Sequence, residues 1–421
     1  MSGLSAREED LVAAIDRDRL TSDLKALVQI RSITGSEDEV QDACADLMVA
    51  AGLAVRRIET DPIAFRSDPA WPGQEMPRST LPVVEGSLGD PAGKRILLVG
   101  HVDVVPPGDP AKWTKPVWDG LVEDGNLYGR GSVDMKGGVV SIISAVRALN
   151  ESGLAGRLGG SVALATVPSE EDGGQGMLAA IRAGITGDAA VITEPTRLDI
   201  AVAHAGSITF RLRIPGRAAH ASMRREGVSA LHKLGLLLEA LDRDEASRNA
   251  AVADRRMSSL ELPYPTIVGK VRGGDWASTV MDHLVVDGRY GVKLGQTTGE
   301  AEEDLRECLQ VAWERDEFLR NHPLDLEITG GKFASSSIPD GHSLPQSLRS
   351  VVADVLGKES RLVGVPYGAD MRLLIQHAGV PTVMFGPGDV AVAHSADEHV
   401  PLQDVADCAG ALAVYLLREL A

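Results

Sequence analysis

The chain has 421 residues, 44% of them apolar, 24% charged and only 4% aromatic; that length carries two domains with full cores, and the composition excludes a disordered or fibrous protein. With 42 Lys and Arg against 60 Asp and Glu the formal charge is −18, a field that repels phosphate backbones and anionic lipid, so no nucleic-acid or membrane partner is expected and cations are favoured. Cys44, Cys308 and Cys408 are too few and too scattered for a disulfide framework or a thiolate zinc site. The first twenty residues are too charged for a signal peptide and no apolar run reaches a membrane span, so a cytoplasmic protein is expected.

In chain order, apolar residues at helical spacing predict helices over 20–29 and 37–51, and alternation predicts a strand over 53–58. The Pro-rich stretch 61–82, with Trp71 and Glu75 in it, has neither period and is expected to be a long surface loop. The run RILLVG at 95–100 reads as a buried central strand whose exit carries His101. A helix over 138–149 precedes strands over 161–167 and 189–193, each followed by acidic residues. From about Gly206 the texture changes to a strand over 208–214, a Gly-Arg-Ala-Ala-His turn, a helix over 227–241, further strands and a helix over 300–315. Helices over 344–356, 370–378 and 402–420, with a strand over 381–385, restore the first texture. The pattern predicts an α/β domain, a mixed sheet with helices on both faces, made of residues 1–205 and 330–421. A smaller α+β unit at 206–329 interrupts it.

Five local clusters hold residues suited to a divalent metal, and four of them follow a predicted strand, where open α/β sheets bind ligands. In LLVGHVDVVPPGD, His101 and Asp103 are two apart and share a face in extended backbone, so the imidazole could bind metal while the carboxylate orients it; a satisfied polar pair is the alternative. In LYGRGSVDMKGG, Asp134 is either a helix N-cap or a rigidly placed bridging carboxylate. In VPSEEDGGQGM, the adjacent Glu170 and Glu171 point in different directions, so one can bind metal while the other acts as general base; a solvated acidic turn is the alternative. Glu194 in VITEPT and His394 in GPGDVAVAHSADEHVP say little alone. Taken jointly, they form a mixed oxygen and nitrogen donor set that suits two divalent ions such as zinc, cobalt or manganese.

The segments HVDVVPPG, GRGSVDMKGG and EEDGGQG, followed by VPYGADMRLL and VPTVMFGPGDVAVAHSADEHVP, resemble the dinuclear zinc amidohydrolases and peptidases that include acetylornithine deacetylase, succinyl-diaminopimelate desuccinylase, aminoacylase and carboxypeptidase G. The resemblance implies that His101 and Glu194 are terminal ligands of one metal and Glu171 and His394 of the other, with Asp134 bridging. It makes Glu170 the general acid/base and Asp103 the residue that orients His101. It also implies a ferredoxin-like lid and dimerisation unit. From that unit His220, in PGRAAHAS, reaches a partner subunit's site to polarise the scissile carbonyl, and Arg289, in VVDGRYGV, can face a substrate carboxylate, a surface salt bridge being the alternative. Ser278 and Met281 stand where members often carry asparagine and proline, so the substrate pose there is not carried over. The activity implied is metal-dependent hydrolysis of an N-acyl amino acid by a homodimer. Its alternatives are a metallo-carboxypeptidase or dipeptidase using the same site, and a non-catalytic protein on the same fold.

Overall fold

The computed structural model describes residues 3–421. Among them nine strands form one mixed sheet. Its order is Ala54–Glu59, Pro82–Gly89, Ser161–Val167, Arg95–His101, Ala189–Ile192, Thr382–Met384, Ile200–His204 and Ser336–Ser337, with Leu362–Val365 also paired to Ile200–His204. The central strands are parallel, with Gly100 against Thr166 and Val99 against Ile192. That register brings the residues following each strand out on one edge of the sheet: His101 to Asp103, Glu170 with Glu171, and Glu194. Ser161–Val167 and Ala189–Ile192 are buried at every position, as in strands covered on both faces. The helices Gly137–Glu151 and Leu402–Leu420 pack on each other, and Asp38–Ala50 packs on Pro82–Gly89. None of the helices among the described residues is long and apolar enough to cross a membrane.

A small sheet of Leu121–Glu123, Asn126–Tyr128 and His399–Pro401 pairs Tyr128 with His399. This pairing draws the segment bearing His394 against the segment bearing Asp134.

The second unit has the chain order strand, helix, strand, strand, helix, strand: Gly206–Pro215, Ala230–Ala250, Thr266–Gly273, His283–Val292, Thr298–Arg315 and Asp325–Phe333. Its strands order as Thr266–Gly273, His283–Val292, Gly206–Pro215, Asp325–Phe333, all antiparallel, which is the ferredoxin-like arrangement. Gly206–Pro215 alternates buried and half-buried residues, so one face packs Ile208, Phe210, Leu212 and Ile214 against Leu237, Leu305, Leu309 and Trp313. Gly288 is required here, because a Cβ would sit 2.5 Å from the Phe210 ring. The helix expected over 227–241 begins later, at Ala230, where Ser229 caps it by accepting from the His232 amide, and runs on to Ala250.

Two expectations need correction. The stretch 61–82 is no plain surface loop: it contains the short helix Pro62–Phe65 and buries Pro72, Gly73 and Arg78. Proline and charged residues masked this, because Arg78 is buried by ion pairing and Pro72 and Gly73 by backbone packing on 330–332, neither of which leaves an apolar period. The helix expected over 370–378 starts one residue later and changes type along its length, from α-helical at Met371–Leu373 to π-helical at Leu374–Ala378.

Candidate active site

At the exit of its strand, His101 is 2% exposed. Its Nε2 lies 3.0 Å from Asp134 Oδ1, and its Nδ1 lies 3.0 Å from the Asp103 main-chain oxygen and 3.6 Å from Asp103 Oδ1. The orienting contact expected from the Asp103 carboxylate therefore comes from its carbonyl. The fully buried carboxylate instead accepts from the amides of Glu170 (3.0 Å) and Glu171 (3.2 Å) and from the Thr34 hydroxyl (3.0 Å), fixing the acidic turn against the His101 strand.

Asp134 does not cap the following helix, which begins at Gly137. Its second oxygen lies 3.3 Å from His394 Nε2, which is also 3.1 Å from Glu171 Oε1. The ligand atoms of His101, Asp134 and Glu171 lie within 4.8 Å of one another. Glu194 is 4% exposed, and its Oε1 is buried without a hydrogen-bond partner among the described residues.

Several positioning groups were not legible in the sequence. Glu398 Oε1 accepts from the amides of Val133 (3.1 Å) and Asp134 (3.3 Å), while its other oxygen pairs with buried Arg130. Arg130 also donates to the Ser395 carbonyl at 3.3 Å, next to His394, and stacks on Trp113. One buried ion pair thus ties the Asp134 segment to the His394 segment. Glu398 lies in the ADEHVP run, but nothing in spacing separates it from a surface acid. Asp370 is 1% exposed with neither carboxylate oxygen hydrogen-bonded among the described residues, 3.9 Å from Arg372, which donates to the Gly173 carbonyl at 2.6 Å.

Electrostatics follow from crowding carboxylates out of water. Burial pushes Glu170 well above the ordinary carboxylate range, with Glu194 adding to the effect, and pushes Glu194 itself up to about 8. Burial opposes charge on His101, but its bond to Asp134 and the nearby carboxylates hold it well above the usual imidazole value. Facing Glu171, His394 is raised to about 11. Four carboxylates and an imidazole line the cavity, and the protonated forms of His101 and His394, with Arg289 as the one other ionised lining residue among the described residues, offset only part of that negative charge. With an orphaned Glu194 oxygen and oxygen and imidazole donors converging, these residues fit divalent metal.

The cavity, about 280 Å³, is lined by Asp134, Glu170, Glu171, Glu194 and His394 on the sheet side. Ser207, Pro265, Ile267, Arg289 and Phe333 face it from the second unit and its exit strand, and Tyr367 and Val390 close the wall. Arg289 sits over the Phe333 ring and lies 3.5 Å from Glu75. His220 is outside it, exposed, with Nδ1 2.8 Å from the Ser222 hydroxyl. Ser278 is also outside the lining.

The family model for Peptidase family M20/M25/M40 matches residues 97–418. Among solved structures, human carnosine dipeptidase 1 is 18% identical with a TM-score of 0.77, covering 98% of each chain. The di-peptidase Dug1p of Saccharomyces cerevisiae is 15% identical with a TM-score of 0.76, again over 98% of each chain. An M20 family metallo-carboxypeptidase of Sulfolobus solfataricus is 16% identical with a TM-score of 0.72, over 95% of this chain and 99% of that one.

Proposed function

We propose that this chain, which belongs to Peptidase family M20/M25/M40, hydrolyses the linear amide bond of a small N-acyl amino acid, with Glu170 as general acid/base. That it is a metal-dependent hydrolase follows from the family, whose members use dinuclear metal sites. The substrate class rests on one observation, the distribution of charge in the cavity. Outside the carboxylate and imidazole cluster its one ionised lining side chain among the described residues is Arg289; Pro265, Ile267, Phe333, Val390 and Ala393 make much of the rest apolar. A guanidinium takes a carboxylate through paired donors, and an uncharged acyl group suits an apolar wall. The free ammonium of a dipeptide finds no counter-charge there beyond the cluster itself and Glu75, which already lies 3.5 Å from Arg289.

In this reading His101 and Glu194 would hold one divalent ion and Glu171 and His394 the other, with Asp134 shared, zinc being the first choice and cobalt or manganese alternatives. When bound, the ions supply Lewis-acid polarisation of a carbonyl and water acidic enough to react near neutral pH. Glu170, in a dry and acid-crowded pocket that raises its proton affinity, takes the proton of the attacking water at a carboxylate oxygen and returns it to the leaving nitrogen. Its amide, bound to Asp103, keeps that carboxylate aimed. Arg289 orients the substrate carboxylate. His220 faces solvent, so its part in polarising the carbonyl needs a second copy of the chain, and a two-fold homodimer is the assembly that supplies it. The division into 1–205 with 330–421 and 206–329, its second boundary shifted to Phe333 where the last strand of the smaller sheet ends, gives a cavity walled from both units, open to closure over substrate. Three unpaired cysteines suit a reducing cytoplasm.

Hydrolysis of short peptides at the same site is the second reading, favoured by the resemblance to dipeptidases and a carboxypeptidase. A panel of N-acetyl amino acids, their carboxyl-amidated analogues and dipeptides decides between them. Hydrolysis of the N-acetyl amino acids is expected to vanish with chelator and return with zinc or cobalt. Amidation should lower kcat/KM roughly 10- to 100-fold, the worth of a charged hydrogen bond, and Arg289→Ala should abolish that discrimination. A preference for dipeptides would move the assignment to the second reading, and inertness toward all three sets would sink both.

A further inference from the structure

The Pro-rich stretch has no part in the mechanism so far, yet it runs directly behind the general base. Asp172, two residues beyond Glu170 and 2% exposed, is the centre of the contacts. It accepts from the Ser169 hydroxyl, from the amides of Glu75 (3.3 Å) and Met76 (3.1 Å), and from Arg78 Nη2 (3.3 Å). The Arg78 side chain has no exposure at all and lies between Asp172 and an equally buried Glu37, 3.3 Å from each. Ser169, the residue immediately before Glu170, has φ of 68°, a left-handed conformation that a serine holds only where its surroundings enforce it. Those surroundings include Asp172, which accepts from the Ser169 hydroxyl, and the Gly174 amide, which donates to the Ser169 carbonyl at 2.6 Å.

The same segment is tied to the second unit. The Lys332 amide donates to the Pro72 carbonyl at 2.7 Å, and the Thr209 hydroxyl donates to Glu75 at 2.9 Å. Gly73, at φ of 99°, leaves no room for a side chain: a Cβ would fall 2.1 Å from the Gly330 carbonyl oxygen. A Cβ on Gly173 would likewise meet the Gly73 oxygen at 3.0 Å. Three stretches of backbone, 72–76, 169–174 and 330–332, are packed at a distance only glycine permits.

We propose that residues 72–78 are a strap that positions the general base, with Asp172 and Arg78 as positioning residues that act on Glu170 through Ser169. The inference rests on Glu170 being the general base, and it gives the strap a role separate from metal binding, because none of its residues contributes a ligand in that reading. Misplacement of a catalytic carboxylate by about an ångström is enough to slow the reaction roughly 10- to 100-fold.

The test uses the full-length, metal-loaded enzyme with an N-acetyl amino acid. Gly73→Ala, which touches no ionisable group, and Asp172→Asn, which keeps shape and removes charge, are each made alone and in a Glu170→Gln background. Each alone should lower kcat roughly 10- to 100-fold, with KM within about twofold of wild type and metal content unchanged, and neither should cost anything further once Glu170 is gone. Arg78→Lys, which keeps a charged donor between Glu37 and Asp172, should recover part of what Arg78→Met loses. If Asp172→Asn fails to fold, Gly73→Ala carries the test. Full kcat in a folded, metal-loaded Gly73→Ala overturns the proposal, as does a loss confined to KM or metal content, or an equal further loss in the Glu170→Gln background. A wild-type enzyme inert toward every substrate in the panel overturns the function and the strap together, whereas an active wild type with an indifferent Gly73→Ala overturns the strap alone.

Discussion

The two sheets of this molecule handle charge in opposite ways. In the larger sheet the central strands are apolar along their length, and ionisable groups collect at their ends, buried and paired: His101 with Asp134, Arg130 with Glu398, Arg78 with Glu37 and Asp172. In the smaller sheet burial alternates, and the open face carries a lattice of wet ion pairs, Arg211 and Arg272 on Asp287 and Arg213 on Asp325 and Glu327. An ion pair in water is worth little, because the solvent already satisfies both partners, whereas removing one partner of a buried pair strands the other. The edge of the first sheet differs chemically because burial there raises the proton affinity of Glu170 and Glu194.

That contrast can be broken in graded steps. Glu170→Gln should have the largest effect, a fall in kcat of roughly 10²- to 10⁴-fold with metal still bound, read by steady-state kinetics beside elemental analysis. Retained turnover would remove Glu170 from its role. Arg130→Met, which strands Glu398 and unties Asp134 from His394, should cost about 3–5 kcal/mol in urea unfolding and weaken metal retention.

A third step uses histidines. His204 is completely buried, and burial lowers its pKa from 6.5 to about 4. Between those values the unfolded chain binds a proton that the folded chain refuses, so stability falls as pH drops from about 6.5 to about 4 and is unaffected above that window. The difference in urea stability between wild type and His204→Gln should therefore change by on the order of 3 kcal/mol across the window, and a flat difference would contradict it. Exposed His283, by contrast, is raised by its bond to Asp282. Arg213→Ala in the smaller sheet is the smallest step: its thermal midpoint should match wild type, and a clear drop would mean that the open face is not the wet surface it is taken to be.

The helices 20–29 and 402–420, the central strands and the alternation of Gly206–Pro215 were legible because apolar periodicity is a local property of the chain. The same holds for the residues gathered at the cavity end of the larger sheet, since His101, Asp134, Glu170, Glu171, Glu194 and His394 each stand in a distinctive glycine- or proline-bounded segment. Their convergence was not local. It depends on the register that aligns the ends of three parallel strands, and on the Tyr128 to His399 pairing that carries His394 across the molecule. Buried charge was the least legible feature: Arg78, Arg130, Asp172 and Glu398 read as ordinary surface residues in any window of sequence. Whether such a group is exposed or buried depends on what the rest of the chain brings against it, and only the tertiary structure decides that. Local composition determined which donors were available; long-range packing determined which of them are dry, and therefore which can bind metal, hold a proton or keep a base in place.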